Sequence, residues 1–403
     1  MFNFRFMCSG FLFIALTQPL AANAAPTNAE LKARKLASAQ IQADKVRTLL
    51  EQISSRDIKA RKKAASALSK FNAKARLATP DLILALTKGD DFTQIAVARY
   101  LGKMGRTGSP AALALGAVLK DGSFELRMTS MYSLYLMGTL GAPAAPALIG
   151  LLNDANKEVR IASIKTLGKL GLKAVPELIE ALSNSQPNVR ENALYAIGRI
   201  GFNAKAAVPS VLNFLSDKDA NTRALALKTI EKIGAVASAA TPNLIESLSD
   251  SNATVRAHAA QALGRFHRKD AAAAIPALTA ALQDKNLTVR SEAAHTLSGL
   301  GGDPDVLLEP LIKAMSNKNR DTRLRASSSL AKIGTKAIPG LLVTLNATTD
   351  GERQFELIDL INAIGPPLPQ SSLALVKEMA NSPHDRIKYF AKAILAYVEA
   401  PKP

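Results

Sequence analysis

Apolar residues in this chain recur three and four places apart in short runs, and the runs come in pairs. One run holds Leu178, Ile179 and Leu182 behind Pro176; the next holds Val189, Ala193, Ile197 and Ile200 and stops at Gly201. That spacing lines one face of a helix. Pro176 suits a first helical turn, where a missing N–H costs nothing. Asn184-Ser185-Gln186-Pro187 breaks the chain between the runs. Gly201 is free to take the left-handed conformation that closes a helix. The pattern predicts two antiparallel helices of about three turns each. No alternating strand pattern interrupts it.

The pair repeats around one polar position. Val159-Arg160 is followed by Leu167, Leu170 and Gly171, Val189-Arg190 by Ile197, Ile200 and Gly201, and Val255-Arg256 by Leu263 and Phe266. The same offsets fit Arg61, Arg127, Arg223, Arg290, Arg323, Arg353 and Arg386, with Gln94 in the slot between Arg61 and Arg127. These eleven copies step by 30, 33 or 34 residues. Such a period predicts an all-α fold, an α-solenoid of about eleven two-helix repeats. Pro80, Pro146, Pro209, Pro242, Pro276 and Pro339 stand fourteen residues before the slot, as Pro176 does; Pro110 and Pro310 are displaced. Six residues before it stands an acid or amide: Asp121, Asp154, Asn184, Asp217, Asp250, Asp284 or Asn317.

This pairing of acid and arginine, with its prolines and glycines, resembles the HEAT family in its short, phycobilisome-lyase-type form, over residues 46–398. The resemblance implies an armadillo-like solenoid in which the acid and arginine form a structural ladder between neighbouring repeats. Ser55 and Lys88 replace the acid, Gln94 the arginine, and Ala347 and Ala380 the acid near the far end. The ladder is expected to be interrupted there. Tetratricopeptide and ankyrin arrays fit less well. The chain has no Trp, and Thr79-Pro80-Asp81-Leu82 and Thr241-Pro242-Asn243-Leu244 lack the ankyrin His.

The first 24 residues read differently. Arg5, the apolar stretch Phe11–Leu16 and the small-x-small site Ala22-Asn23-Ala24 predict a signal peptide, with a mature chain from about Ala25 in the periplasm or outside the cell. Residues 25–45 form a basic leading segment in which Leu31, Leu36 and Ile41 make no full stripe; residues 399–403 read as a loose tail. No second apolar segment is expected, hence no transmembrane segment in the mature chain. Cys8 is the only cysteine, so the mature chain has no disulfide and no thiolate site. The sequons at Asn252 and Asn286 fall where helix capping explains them.

The net charge is +18, and residues 25–79 hold thirteen Lys or Arg against four acids. That end suits an anionic surface. A second basic feature follows the repeat. Nine residues after the slot stand Lys70, Lys103, Lys169, Arg199, Lys232, Arg265 and Lys332, with gaps at Leu136 and Gly299. Arg99, Lys165 and Lys228 add a charge one turn earlier. A cation near a helix end is favoured by about 0.3–1 kcal/mol, but like charges at i and i+4 oppose each other.

Chemistry is sparse. There is no phosphate loop, nucleophile elbow or His-Glu-x-x-His helix. His258, His295 and Glu292 lie on second helices of adjacent repeats, and stacking would bring them toward metal-binding reach. The paired His-Glu dipeptides of HEAT-like hydroxylases and the Trp of HEAT-like glycosylases are missing, and nothing marks a bilin site. The expectation is a non-enzymatic scaffold without cofactor, binding a protein or polyanionic partner through the seven-residue basic column, with no nucleic acid. Two alternatives stay open: an envelope-associating protein using its basic amino end on anionic lipids or cell-wall polymers, and a lyase or metal-dependent enzyme.

Overall fold

The computed structural model describes residues 27–71, 75–365 and 367–399. The expected signal peptide and most of the expected tail lie outside them. Eleven two-helix repeats follow one another, and no strand occurs among the described residues. Each repeat is named below by its slot residue.

The second helices are the regular part. Those of the Gln94, Arg127, Arg160, Arg190, Arg223, Arg290, Arg323 and Arg353 repeats run for 14 residues each. In eight repeats the start of the second helix is set by a side-chain cap four residues before the slot: Asp57, Asp90, Ser123, Asn156, Asp219, Asn252, Asn286 and Asn319 accept backbone N–H bonds. Each cap contributes about 1 kcal/mol. The two sequons therefore serve as caps.

Most first helices are shorter than three turns. Val175–Ala181 and Thr241–Ser247 have seven residues, Val208–Leu212 five, and tight 3-10 turns such as Gly201–Ala207 lead into them. Proline opens them as expected. The closing glycines also differ from expectation. Gly201 has φ 64° and ψ −132°, outside the left-handed helical region, which Gly301 alone adopts among the helix-ending glycines described. A backbone with positive φ and negative ψ is open to glycine and turns the chain straight into the next 3-10 segment. In the Arg256 repeat His267 takes the glycine's place, and the second helix stops early, at Leu263.

One core runs the length of the stack. Val189, Ala193, Ile197 and Ile200 are buried, as are Leu178 and Leu182. The leading helix is continuous from Asn28 to Ile53 and crosses the expected boundary at residue 45; its second half buries Ala43, Val46, Leu50 and Ile53. Against expectation, Phe124–Asn153 is as apolar as a membrane-crossing segment. The chain turns at Gly138 inside it, and the two pieces, Phe124–Met137 and Ala145–Gly150, pack into successive repeats.

Two polar ladders tie the repeats. From Arg160 to Arg323 each slot arginine donates Nη1 to the carbonyl six residues back: Arg160 to Asp154 at 2.7 Å, Arg190 to Asn184 at 2.8 Å, Arg223 to Asp217 at 2.8 Å, Arg256 to Asp250 at 2.7 Å, Arg290 to Asp284 at 2.6 Å and Arg323 to Asn317 at 3.1 Å. The carboxylate partner belongs to the following repeat: Arg127 pairs with Asp154, Arg223 with Asp250 at 2.8 Å and Arg256 with Asp284 at 2.6 Å. Arg223 thus meets Asp217 only through its backbone oxygen, so a side-chain coupling experiment belongs on Asp250. Two of the expected interruptions, at Lys88 and Ala347, are bypassed. Arg61 reaches Asp90 at 2.7 Å, the cap beyond Lys88. Arg323 reaches Glu356 at 2.6 Å, beyond Ala347. The guanidinium fork finds another carboxylate of the following repeat when the usual one is missing. Arg160 and Arg190 make no ion pair among the described residues. The second ladder was not foreseen. Hydroxyls six residues after the slot donate to carbonyls of the preceding second helix: Ser133 to Ala98 at 2.7 Å, Thr229 to Leu194 at 3.2 Å and Thr296 to Ala260 at 2.8 Å.

Candidate functional site

All seven members of the basic column are exposed. All but Arg265, which follows the shortened helix ending at Leu263, lie on the last turn of a second helix, where the exposed carbonyl ends favour a cation. Successive second helices pack against one another, and this stacking sets what the cations meet: the residue eight places after the slot in the preceding repeat. Lys103 donates to the Ser69 carbonyl at 2.7 Å. Lys169 Nζ lies 5.5 Å from the ring centre of Tyr135, which stacks on Tyr132. Arg199 lies against Gly168, whose missing Cβ would fall 2.8 Å from the Arg199 Cβ. Lys232 lies against Gly198 at 3.8 Å by the same measure. Arg265 donates Nη2 at 2.9 Å and Nε at 3.2 Å to Glu231. Chemically equal cations therefore have different fates, set by one neighbour.

Between the second helices of the Arg190 and Arg223 repeats this arrangement leaves a groove. Leu194, Leu225 and Gly198 form its apolar base, half-exposed Tyr195 one wall, and Arg199, Lys228 and Lys232 its rim. None of the three cations has an ion pair among the described residues.

The HEAT-repeat family model matches residues 113–185, 145–205, 175–246 and 241–309. This stretch of the chain is a HEAT-repeat array. No curated protein matches the chain. Among solved structures, Kap121p bound to Nup53p is similar over 90% of this chain and 45% of its own, at 14% identity and a TM-score of 0.59. The chain thus spans under half the length of that protein, and the likeness is one of fold. The complex of CpcE and CpcF of phycocyanin lyase from Nostoc sp. PCC7120 aligns over 39% of this chain and 97% of its own, at 25% identity and a TM-score of 0.30.

Further along the HEAT array the second-helix surface closes on itself. Glu231 and Glu292 are buried at 6% and 1% exposure. Arg325, three repeats after Glu231, lies 3.7 Å from Glu231 and 3.8 Å from Glu292. Burial raises the Glu292 pKa, against the opposing pull of Arg325. The histidines do not join Glu292 as ligands. His258 Nδ1 pairs with Gln261 Oε1 at 2.8 Å; His295 Nδ1 lies 2.7 Å from Ser329 Oγ and 3.1 Å from the Arg325 carbonyl. Burial first, then Arg325, lowers the His295 pKa. No group of three metal-ligating side chains gathers among the described residues.

Tyr195, Gly198 and Glu231 were missed by the sequence reading. The signal was present: the column eight places after the slot reads Ser69, Gly102, Tyr135, Gly168, Gly198, Glu231 and Gly264. Its meaning depends on which side chain of the next repeat lies over it.

Proposed function

We propose that this chain is an exported, non-catalytic scaffold that binds another protein along the exposed ridge of its second helices. The observation that carries this reading is the run of exposed cations without internal counter-charge, Arg199, Lys228 and Lys232, beside an apolar groove. An excess of unpaired like charge on stacked helices gives an acidic partner both attraction and a fast encounter. The periplasm or extracellular space is the proposed compartment; amino-terminal sequencing of the exported form, expected to begin near Ala25, tests it.

Reversing Lys169, Arg199, Lys228 and Lys232 to Glu, with helix content checked by circular dichroism, is expected to remove an acidic protein that the wild type captures from an envelope fraction. Unchanged capture would move the binding face elsewhere. Arg265 is left out because Glu there would face buried Glu231 and destabilise the fold. The alternative of an envelope anchor rests on Lys32, Arg34 and Lys35 of the leading helix. Leu31, Leu36 and Ile41 are exposed on it, but steps of five residues put them on different faces.

A further inference from the structure

The geometry points to an empty carboxylate seat at Gly198–Lys232, built to take an acidic side chain of an extended peptide; this deepens the partner-binding reading and rests on it. The array supplies its own precedent. In the next repeat junction, the residue equivalent to Gly198 is Glu231, and its carboxylate accepts from Arg265, the residue equivalent to Lys232. At Gly198 the same place has no side chain, and Lys232 has no carboxylate.

Packing does not account for this glycine. A Cβ on Gly102, Gly168 or Gly264 would fall 2.5, 2.8 or 2.9 Å from the neighbouring repeat, so those glycines are needed for close helix approach. At Gly198 the nearest atoms are 3.8 Å away, an ordinary contact. The space is left over, lined by Leu194 and Leu225 for an aliphatic stem and by Tyr195 on one side. Three cations at its rim, Arg199, Lys228 and Lys232, match one carboxylate and its neighbours on a chain.

The repeat also sets the spacing of the ligand. Packed helices lie about 8–10 Å apart. A polyproline II chain rises about 3.1 Å per residue with three residues per turn, so every third side chain points the same way about 9 Å on. One repeat earlier Arg199 closes over Gly168 and leaves no seat there, but its exposed guanidinium also lacks a carboxylate and offers a second acid a partner. The ligand is therefore an extended segment with an acid at every third position. A regular β-strand would send alternate acids to opposite sides.

The test uses the full chain and a fluorescent peptide, four repeats of Glu-Pro-Ala, against a peptide of equal composition with its acids adjacent. Wild type is expected to prefer the first, with affinity falling as salt rises. Gly198→Ala is expected to bind within about twofold, and Gly198→Glu to lose about tenfold or more, because its own carboxylate occupies the seat. Both variants are expected to keep the wild-type helix content, since space exists for them. Equal binding of both peptides, or equal binding by Gly198→Glu, would overturn the seat. So would binding of inorganic phosphate or phosphatidylglycerol vesicles in place of the peptide. A partner lost on the fourfold reversal but kept by Gly198→Glu would overturn the seat and leave the scaffold reading standing; a partner kept by both would overturn both.

Discussion

Arg199 and Arg265 occupy the same offset in two HEAT repeats, and their surroundings separate the array into two stretches. In the Arg190 and Arg223 repeats the ridge cations Arg199 and Lys232 lie over glycines, and slot residues Arg160 and Arg190 donate only to carbonyls of their own loops. From the Arg223 to the Arg323 repeat, Arg265 and Arg325 meet Glu231 and Glu292, while Arg223, Arg256 and Arg323 hold carboxylates of the following repeat. The second stretch satisfies most of this charge internally on both edges; Arg290, which donates to its own loop carbonyl, and Lys332 have no ion pair among the described residues. The first leaves it outward. A repeat array is stable as a sum of neighbouring contacts, so this difference is also one of local stability: the stretch suited to binding is the one less tied within itself.

The largest break in this comparison is at the ladder. Arg256 is 6% exposed and pairs with Asp284. Removing one member of a buried pair strands the other, and Arg256→Ala is expected to cost about 3 kcal/mol. Arg190→Ala loses two bonds to carbonyls at 2.8 and 3.0 Å, and is expected to cost about 1 kcal/mol. Denaturant unfolding of the two variants checks the order. Equal costs would mean the inter-repeat carboxylate adds nothing.

Acid should narrow the gap between the stretches. Arg223 and Arg256 hold Asp250 and Asp284 below the ordinary carboxylate range. A depressed folded pKa gives stability that is present above the unfolded value and lost as pH falls through the folded one. The loss therefore begins below about pH 4, the unfolded aspartate value. Amide exchange corrected for intrinsic rates is expected to show protection falling at residues 223–290 as pH drops from about 5 to 2.5, with residues 160–200 changing less. Parallel loss in both stretches would assign acid sensitivity to the whole array.

How much of this was legible before the fold was known follows from where each contact lies in the chain. The arginine slot, the proline and the cap recur at fixed offsets, so the helix pairs and the core of Val189, Ala193, Ile197 and Ile200 could be read directly. Ladder partners were harder. Arg223 has Asp217 six residues back and Asp250 in the next repeat, and the offset alone does not say which carboxylate turns toward it. The ladder was expected to be interrupted at Lys88 and Ala347 because the aligned acid is missing; Arg61 and Arg323 reach Asp90 and Glu356 instead. The cations of the candidate site were visible as a column. The groove was not, because it depends on how the Gly198 turn faces Lys228 and Lys232 across a helix boundary.

The smallest expected effect is the most direct test of what the open stretch is for. Lys228 and Lys232 stand at i and i+4 of one helix, exposed and without an ion pair among the described residues. Like charges so placed destabilise a helix by about 0.2–0.5 kcal/mol. The equivalent pair in the next repeat is Gln261 and Arg265, which carries no such repulsion. Lys228→Gln makes the open helix copy the satisfied one. It is expected to raise unfolding stability by about 0.2–0.5 kcal/mol at low salt, with the gain shrinking at high salt as screening removes the repulsion. Binding of the acidic peptide should weaken at the same time. Opposite signs for stability and binding would show that the charge is held against the helix for the sake of a ligand. A loss of stability would instead make Lys228 part of the fold, and the comparison between the two stretches would then rest on Arg199 and Lys232 alone.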